Sequence, residues 1–136
     1  VAVTGVQTCA LPIWTIVRVV DNSGAKVGAC IHMYQGYRRR YAKVGDVIKI
    51  AIKKIRKGEP DLLKVKKGSM SKAVVVTTKS FLNTFDGGYK SSPCNSVVLI
   101  SDQDKFLGTR VFSGLDASLR YTKYLRLLSM GVGVVY

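Results

Sequence analysis

The 136 residues suit a single domain, and a chain of that size buries roughly two-thirds of the surface its unfolded form exposes. Lys and Arg number 22 against 8 Asp and Glu, for a net charge of +14. Solubility calls for only about 2 to 8 charges, so a polyanionic partner is expected. No apolar run approaches the roughly 20 residues of a membrane-spanning helix. The basic residues also recur at strand-like spacing, which argues against a membrane-surface helix and leaves nucleic acid as the polyanion.

The chain begins unusually. Val3 to Ile13 resembles, residue for residue, the conceptual translation of a short-read sequencing adapter. Residues 1–13 are therefore expected to be a leader foreign to the natural protein, with no role for Cys9 or Pro12, and residues 14–136 the single domain. From Trp14 the pattern becomes coherent. Thr15-Ile16-Val17-Arg18-Val19-Val20 is rich in β-branched residues and predicts a first strand. Asp21-Asn22-Ser23-Gly24 then ends it, because Asp and Asn side chains bond nearby amides and Gly admits positive φ. These four residues shape the turn; pinning an RNA backbone is their second reading. Ala29 to Met33 predicts a second strand, and Val44-Gly45-Asp46 turns the chain into a third.

That third strand carries the most information. Val47 to Ile55 alternates at period two, so Ile48, Ile50 and Ile52 share one face while Lys49 and Lys53 share the other. The stretch from Tyr37 to Lys79 surrounds it with charge: Arg38, Arg39, Arg40 and Lys43 before it, and Lys54, Arg56, Lys57, Lys64, Lys66, Lys67, Lys72 and Lys79 within and after it. Only Asp46, Glu59 and Asp61 oppose them. Arg56 to Lys67 predicts an exposed basic ribbon around a Gly58–Asp61 loop. Ala73 to Thr78 is apolar on both faces, as a central barrel strand must be, and Ser96 to Ile100 returns after a polar loop. Five short strands point to a mainly β fold, a small closed five-stranded barrel without exposed edges. The tail changes period. Asp116 can cap a short helix through Leu119-Arg120, and Thr122 can start another with Tyr124, Leu125 and Leu128 at helical spacing, stopped by Gly131 and Gly133.

Chemistry beyond binding finds little support. Cys9, Cys30 and Cys94 form no CxxC pair and make an odd count, so neither a zinc site nor a disulfide framework is expected, and a reducing compartment is the default. His32, the only histidine, has no partner at a base or ligand spacing. Asp46 and Asp86 sit in Gly turns without a convergent acid, base or nucleophile, so catalysis is not expected, nor a metal or cofactor. A free single-strand-binding barrel is the rival reading, but it needs aromatics across its basic face, and Phe and Trp are absent from Tyr37 to Lys79. Tyr37 and Tyr41 flank the arginine cluster, where packing on arginine stems is the first reading and stacking on an unpaired base the second.

The order of motifs resembles the universal ribosomal large-subunit protein fourteen family over about Trp14 to Met130. Asp21-Asn22-Ser23-Gly24-Ala25, Arg39-Arg40-Tyr41-Ala42 with Val44-Gly45-Asp46, Lys64-Val65-Lys66-Lys67-Gly68, Lys72 to Val76, and Gly108-Thr109-Arg110-Val111-Phe112 all resemble family segments in the right order. Ser113-Gly114-Leu115 replaces the family's usual Gly-Pro, Ser91 to Cys94 departs from its basic-aromatic approach to Asn95, and the Lys57–Leu63 loop is longer than in typical bacterial relatives. Such drift suggests an organellar member in the mitochondrial matrix, with a plastid or cytosolic ribosome as the alternative. The resemblance implies a structural, non-enzymatic large-subunit protein bound to large-subunit rRNA on the intersubunit face. It further implies a bridge to small-subunit rRNA, neighbouring ribosomal proteins, an anti-association factor near the C-terminal part, and no membrane. The expected RNA-binding residues are Arg38, Arg39, Arg40, Lys43, Lys53, Lys54, Lys64, Lys66, Lys67, Lys72 and Arg110. Arg110 has tail anchoring as its alternative role. Leu119, Arg120, Tyr124 and Leu128 are candidates for a protein interface, with core covering the default for the apolar three.

Overall fold

The alternation of Ile48, Ile50 and Ile52 with Lys49 and Lys53 becomes a nine-residue strand whose three isoleucines are fully buried and whose lysines lie on the outside. Burying each such side chain stabilises the fold by about 1.5–3 kcal/mol relative to leaving it in water. The computed structural model describes residues 11–34, 36, 41–58, 63–79, 82–83 and 87–135. In chain order the strands are β1 (Leu11–Pro12), β2 (Ile16–Val19), β3 (Ala25–Met33), β4 (Tyr41–Ala42), β5 (Val47–Ile55) and β6 (Met70–Thr77). They continue with β7 (Leu82–Asn83), β8 (Tyr89–Lys90), β9 (Ser96–Ile100), β10 (Gly114–Asp116) and β11 (Gly133–Val135). Among the described residues a 3-10 helix spans Ala117–Tyr121, and an α-helix, α1, spans Arg126–Met130.

The closed barrel runs β2-β3-β5-β6-β9, the five strands expected from sequence. Its neighbours are antiparallel except at the closure, where β9 lies parallel to β2 through Arg18 opposite Ser96 and Val19 opposite Val97. The second strand is longer than expected, starting at Ala25, because Gly24 at φ +104 turns the chain straight back into the sheet. Val17, Cys30, Ile50, Ile52, Ala73, Val75, Val97 and Leu99 fill the interior. Leu11, within the segment assigned to the leader, is buried with them, and β1 pairs with β4 through Leu11 opposite Ala42.

A second core lies outside the barrel wall. The outward residues Val74 and Val76 of β6 and Val98 and Ile100 of β9 pack against Val111, Leu115, Leu119, Tyr124 and Leu127 from the C-terminal tail. That explains why Ala73 to Thr78 is apolar on both faces: one face fills the barrel and the other is roofed by the tail. Asp116 caps the 3-10 helix by accepting from the Ser118 amide at 2.9 Å, and its carboxylate also accepts a 2.6 Å charge-assisted bond from Lys90. Gly131 ends α1 as expected. Gly133 differs: it opens β11, which pairs in parallel with β10, so tertiary pairing takes a residue whose local signal is a stop. Likewise, no strand forms among the described residues of the expected Arg56–Lys67 ribbon. The chain there is folded back, with the Arg56 amide bonded to Gly24 O, Lys64 N to Ser23 O and Gly68 N to Ile52 O.

Candidate nucleic-acid interface

Outward positions on adjacent barrel strands collect the charge. Arg18 on β2 follows Ile16 by two residues, Lys26 stands near the start of β3, and Lys53 and Lys54 lie side by side on β5 at a shift in the β3–β5 register. Such an irregularity breaks the in-out alternation, so two successive lysines both face outward. With Arg56, Lys57 and Lys67 from the folded-back loop, these residues line an open cleft of about 730 Å³ that also touches Val19 and Ile55. Seven of the nine lining residues are cationic and none is acidic. Two further clefts among the described residues are mixed in sign: one carries Asp46 and Asp104 beside Lys72 and Lys123, the other Asp104 beside Lys105, Lys123 and Arg126.

The expected RNA-binding residues divide accordingly. Lys53, Lys54 and Lys67 line the cationic cleft. Lys66 is exposed but outside the lining. Lys64 spends its ammonium on the fold, donating to the Leu107 carbonyl at 2.6 Å. Lys72 lies over the Tyr34 ring at 5.4 Å and 3.9 Å from Asp102. Lys43 is exposed, with its amide bonded to the Asp46 carboxylate at 2.8 Å. Arg110 is exposed on a segment whose backbone is clamped from elsewhere. Tyr37, Arg38, Arg39 and Arg40 lie outside the described residues. Arg18, Lys26, Arg56 and Lys57 were missing from the expected site. For Arg18 the period-two pattern beside Ile16 is the available signal; Lys26 becomes visible only once β3 is known to begin at Ala25.

The clamp comes from the Asp21–Gly24 turn. Asp21 is fully buried; one carboxylate oxygen accepts from the Ser23 amide at 3.2 Å and from its hydroxyl, the other from the Leu99 amide at 2.9 Å. Asn22 reaches outward, its amide oxygen accepting from Thr109 N at 2.7 Å and its nitrogen donating to the Thr109 hydroxyl at 2.8 Å. A Cβ on Gly108 would stand 2.6 Å from that Asn22 oxygen, so only glycine lets the two segments meet. The turn residues therefore tie β2 to β9 and to the Gly108–Arg110 segment, besides shaping their own backbone. Among the interface candidates, Leu119 and Tyr124 are buried in the second core, Leu128 packs half-buried against it and Arg120 is exposed.

Burial pushes the Cys30 thiol up from its ordinary value, with a hydrogen bond to the His32 backbone acting weakly in the other direction. It is a packed core residue. No group of three His, Cys, Asp or Glu side chains with metal-binding geometry occurs among the described residues.

A small closed barrel with an outer cleft whose charged residues are all cationic belongs to the class of polyanion-binding β-barrels. The family of ribosomal protein L14p/L23e matches residues 10–135, and the chain belongs to that family. It is accordingly a protein of the large ribosomal subunit, located at the ribosome with rRNA and other ribosomal proteins as partners, in a family that is structural and not enzymatic.

Proposed function

We propose that the cationic cleft is the surface by which this ribosomal protein grips large-subunit rRNA, through phosphate contacts and not base readout. The observation that carries this reading is the convergence of seven cations and no acid on one cleft. Structured RNA hides its base edges in a deep, narrow groove, so a rigid barrel gains affinity chiefly from phosphates and riboses. Arg18 and Arg56 can each fork two donors onto phosphate oxygens; the lysines act as point charges on the sheet. Arg38, Arg39, Arg40, Lys43, Lys66 and Arg110 add further phosphate contacts in this reading, whereas Lys64 and Lys72 contribute less because their ammonium groups already have partners. The resemblance noted above further supports a place on the intersubunit face, a bridge to small-subunit rRNA, contact with an anti-association factor and residence in the mitochondrial ribosome.

Filter binding of the purified protein to a folded large-subunit rRNA fragment tests the cleft. If six to ten phosphates are neutralised, affinity falls by about 10³ to 10⁵ over a fourfold rise in salt, with duplex DNA as guide. The triple variant K53E/K54E/K67E should bind far more weakly and with a shallower salt slope. Unchanged affinity and slope would reject the cleft as the rRNA surface, and a preference for single strands would favour a free nucleic-acid-binding barrel. Sedimenting ribosomes from isolated mitochondria tests location: recovery of the protein in their large subunit is expected, and its absence there would remove the mitochondrial assignment.

A further inference from the structure

Beside the cationic cleft lies an apolar row that no described element roofs. Ile16, Ala29, Ala51 and Met70 are successive Cα partners across β2, β3, β5 and β6, so their side chains share the barrel's outer face. Ile16 is 70% and Met70 61% exposed, while Ala29 and Ala51 between them are small and low. The row is thus a trough with an Ala29–Ala51 floor and Ile16 and Met70 as walls. Four strands about 4.8 Å apart set those walls about 14 Å from each other. At the β2 end stands Trp14, 73% exposed and held at φ 69 by its amide bond to Cys30 O at 2.7 Å. A bulky residue in the left-handed region is rare, and such strain collects at functional positions.

Charge closes the trough at both ends. Two residues one way along β5 and β6 come Lys49 and Lys72, with His32 opposite Lys49 across a register shift in β3; two residues the other way along β2 and β5 come Arg18 and Lys53. Lys49 and Lys53 are about 14 Å apart along β5 at the usual rise of a strand.

We propose that this face docks an amphipathic helix of a partner protein whose apolar stripe is flanked by acidic residues. The floor is interior sheet whose backbone groups are already paired with neighbouring strands, so an extended peptide lying on it would leave its own amides and carbonyls unbonded. A helix bonds its backbone internally, and its diameter of about 10–12 Å fits between the walls. The floor and walls themselves, Ile, Ala, Ala and Met, offer a base no ring to stack on; the exposed rings of Trp14 and Tyr34 stand only at the ends, so RNA is made an outcome of the test. The mainly cationic ends, with Asp102 3.9 Å from Lys72 at one and no acid lining the cleft at the other, select acidic flanks about nine helical residues apart, at about 1.5 Å rise each. The side chains of the trough itself are not those of the cleft, so the inference does not rest on the rRNA reading.

Trp14 is the only tryptophan in the chain, so its fluorescence reports on this face alone. The probe is a synthetic amphipathic helix of about 18 residues, five turns, with a leucine stripe flanked by glutamates; controls are the same helix with lysine flanks and a single-stranded RNA oligonucleotide. The glutamate-flanked helix should shift Trp14 emission saturably, and Met70→Glu should weaken it by about tenfold or more, as loss of a contact wall does. Met70 is exposed, so that variant leaves the fold intact, and backbone-amide shifts at Ala29 and Ala51 give a second readout. K53E/K54E/K67E, which weakens the proposed rRNA grip, should weaken the glutamate-flanked helix only modestly through Lys53. Equal binding of the lysine-flanked helix, indifference to Met70→Glu, or a Trp14 response to the RNA oligonucleotide alone would each overturn the proposal.

Discussion

The barrel has two outer walls built from the same kind of strand and treated in opposite ways. Over β6 and β9, Val74, Val76, Val98 and Ile100 face outward and are roofed by the C-terminal tail. Over β2, β3 and β5 the outward positions hold Arg18, Lys49, Lys53 and Lys54 around the Ile16–Met70 trough, and no part of the described chain roofs them. The first wall gains stability by burying apolar area within the chain. The second leaves that gain to whatever the chain meets. The difference teaches that outward valine marks a face the fold completes itself, and outward lysine a face left to a partner.

This contrast predicts unequal costs of substitution. The largest should follow Leu127→Ala in the tail, which opens a cavity in a fully buried roof; chemical denaturation should register a loss of about 2–5 kcal/mol, and a loss near zero would show that the roof is dispensable. Asp21→Ala comes next. It leaves the Leu99 and Ser23 amides without their acceptor in the interior, at about 1–3 kcal/mol for each unpaired buried group. Gly108→Ala strikes the same clamp by pushing on Asn22, and amide exchange at Thr109 should accelerate in it. A smaller, pH-dependent effect belongs to Cys30. Because the folded thiol titrates above its ordinary value, its share of stability is complete below that value and fades as pH rises through it toward the folded pKa, since the unfolded thiol ionises first. Cys30→Ala should therefore lose less stability than the parent between neutral and strongly alkaline pH. Smallest of all should be Met70→Ser on the open wall, within about 0.5 kcal/mol of the parent. A cost like that of Leu127→Ala would erase the distinction between the two walls.

How far the molecule was legible from its residues follows the range of each signal. Period-two alternation is local, so the inward isoleucines of β5 and the five barrel strands could be read directly. The cap at Asp116 and the stop at Gly131 were equally local. The cleft was only half legible: Lys53, Lys54 and Lys67 belong to one basic stretch, but Arg18 and Lys26 reach it through the β2–β3 and β3–β5 pairings, which no window along the chain contains. Lys64 misled for the complementary reason, since its bond to Leu107 O links residues 43 apart. The Asp21–Gly24 turn chemistry was visible, while its bonds to Leu99 and Thr109, 78 and 87 residues away, were not. Gly133 reads locally as a stop because its pairing partner in β10 lies on the far side of α1.

The parallel seam between β2 and β9 also governs when the molecule can exist at all. The first barrel strand closes against the last, and the Asp21–Leu99 bond fastens them across 78 residues. During synthesis at about 5–20 residues per second, β2, β3, β5 and β6 emerge with both edges of their sheet, β2 and β6, unsatisfied and wait several seconds for β9. Closure at such sequence separation is slow, because loop entropy is lost before the contacts reward it. The nascent chain therefore passes through an open, strongly basic half-sheet, and the interval before its seam forms is when it most needs an escort.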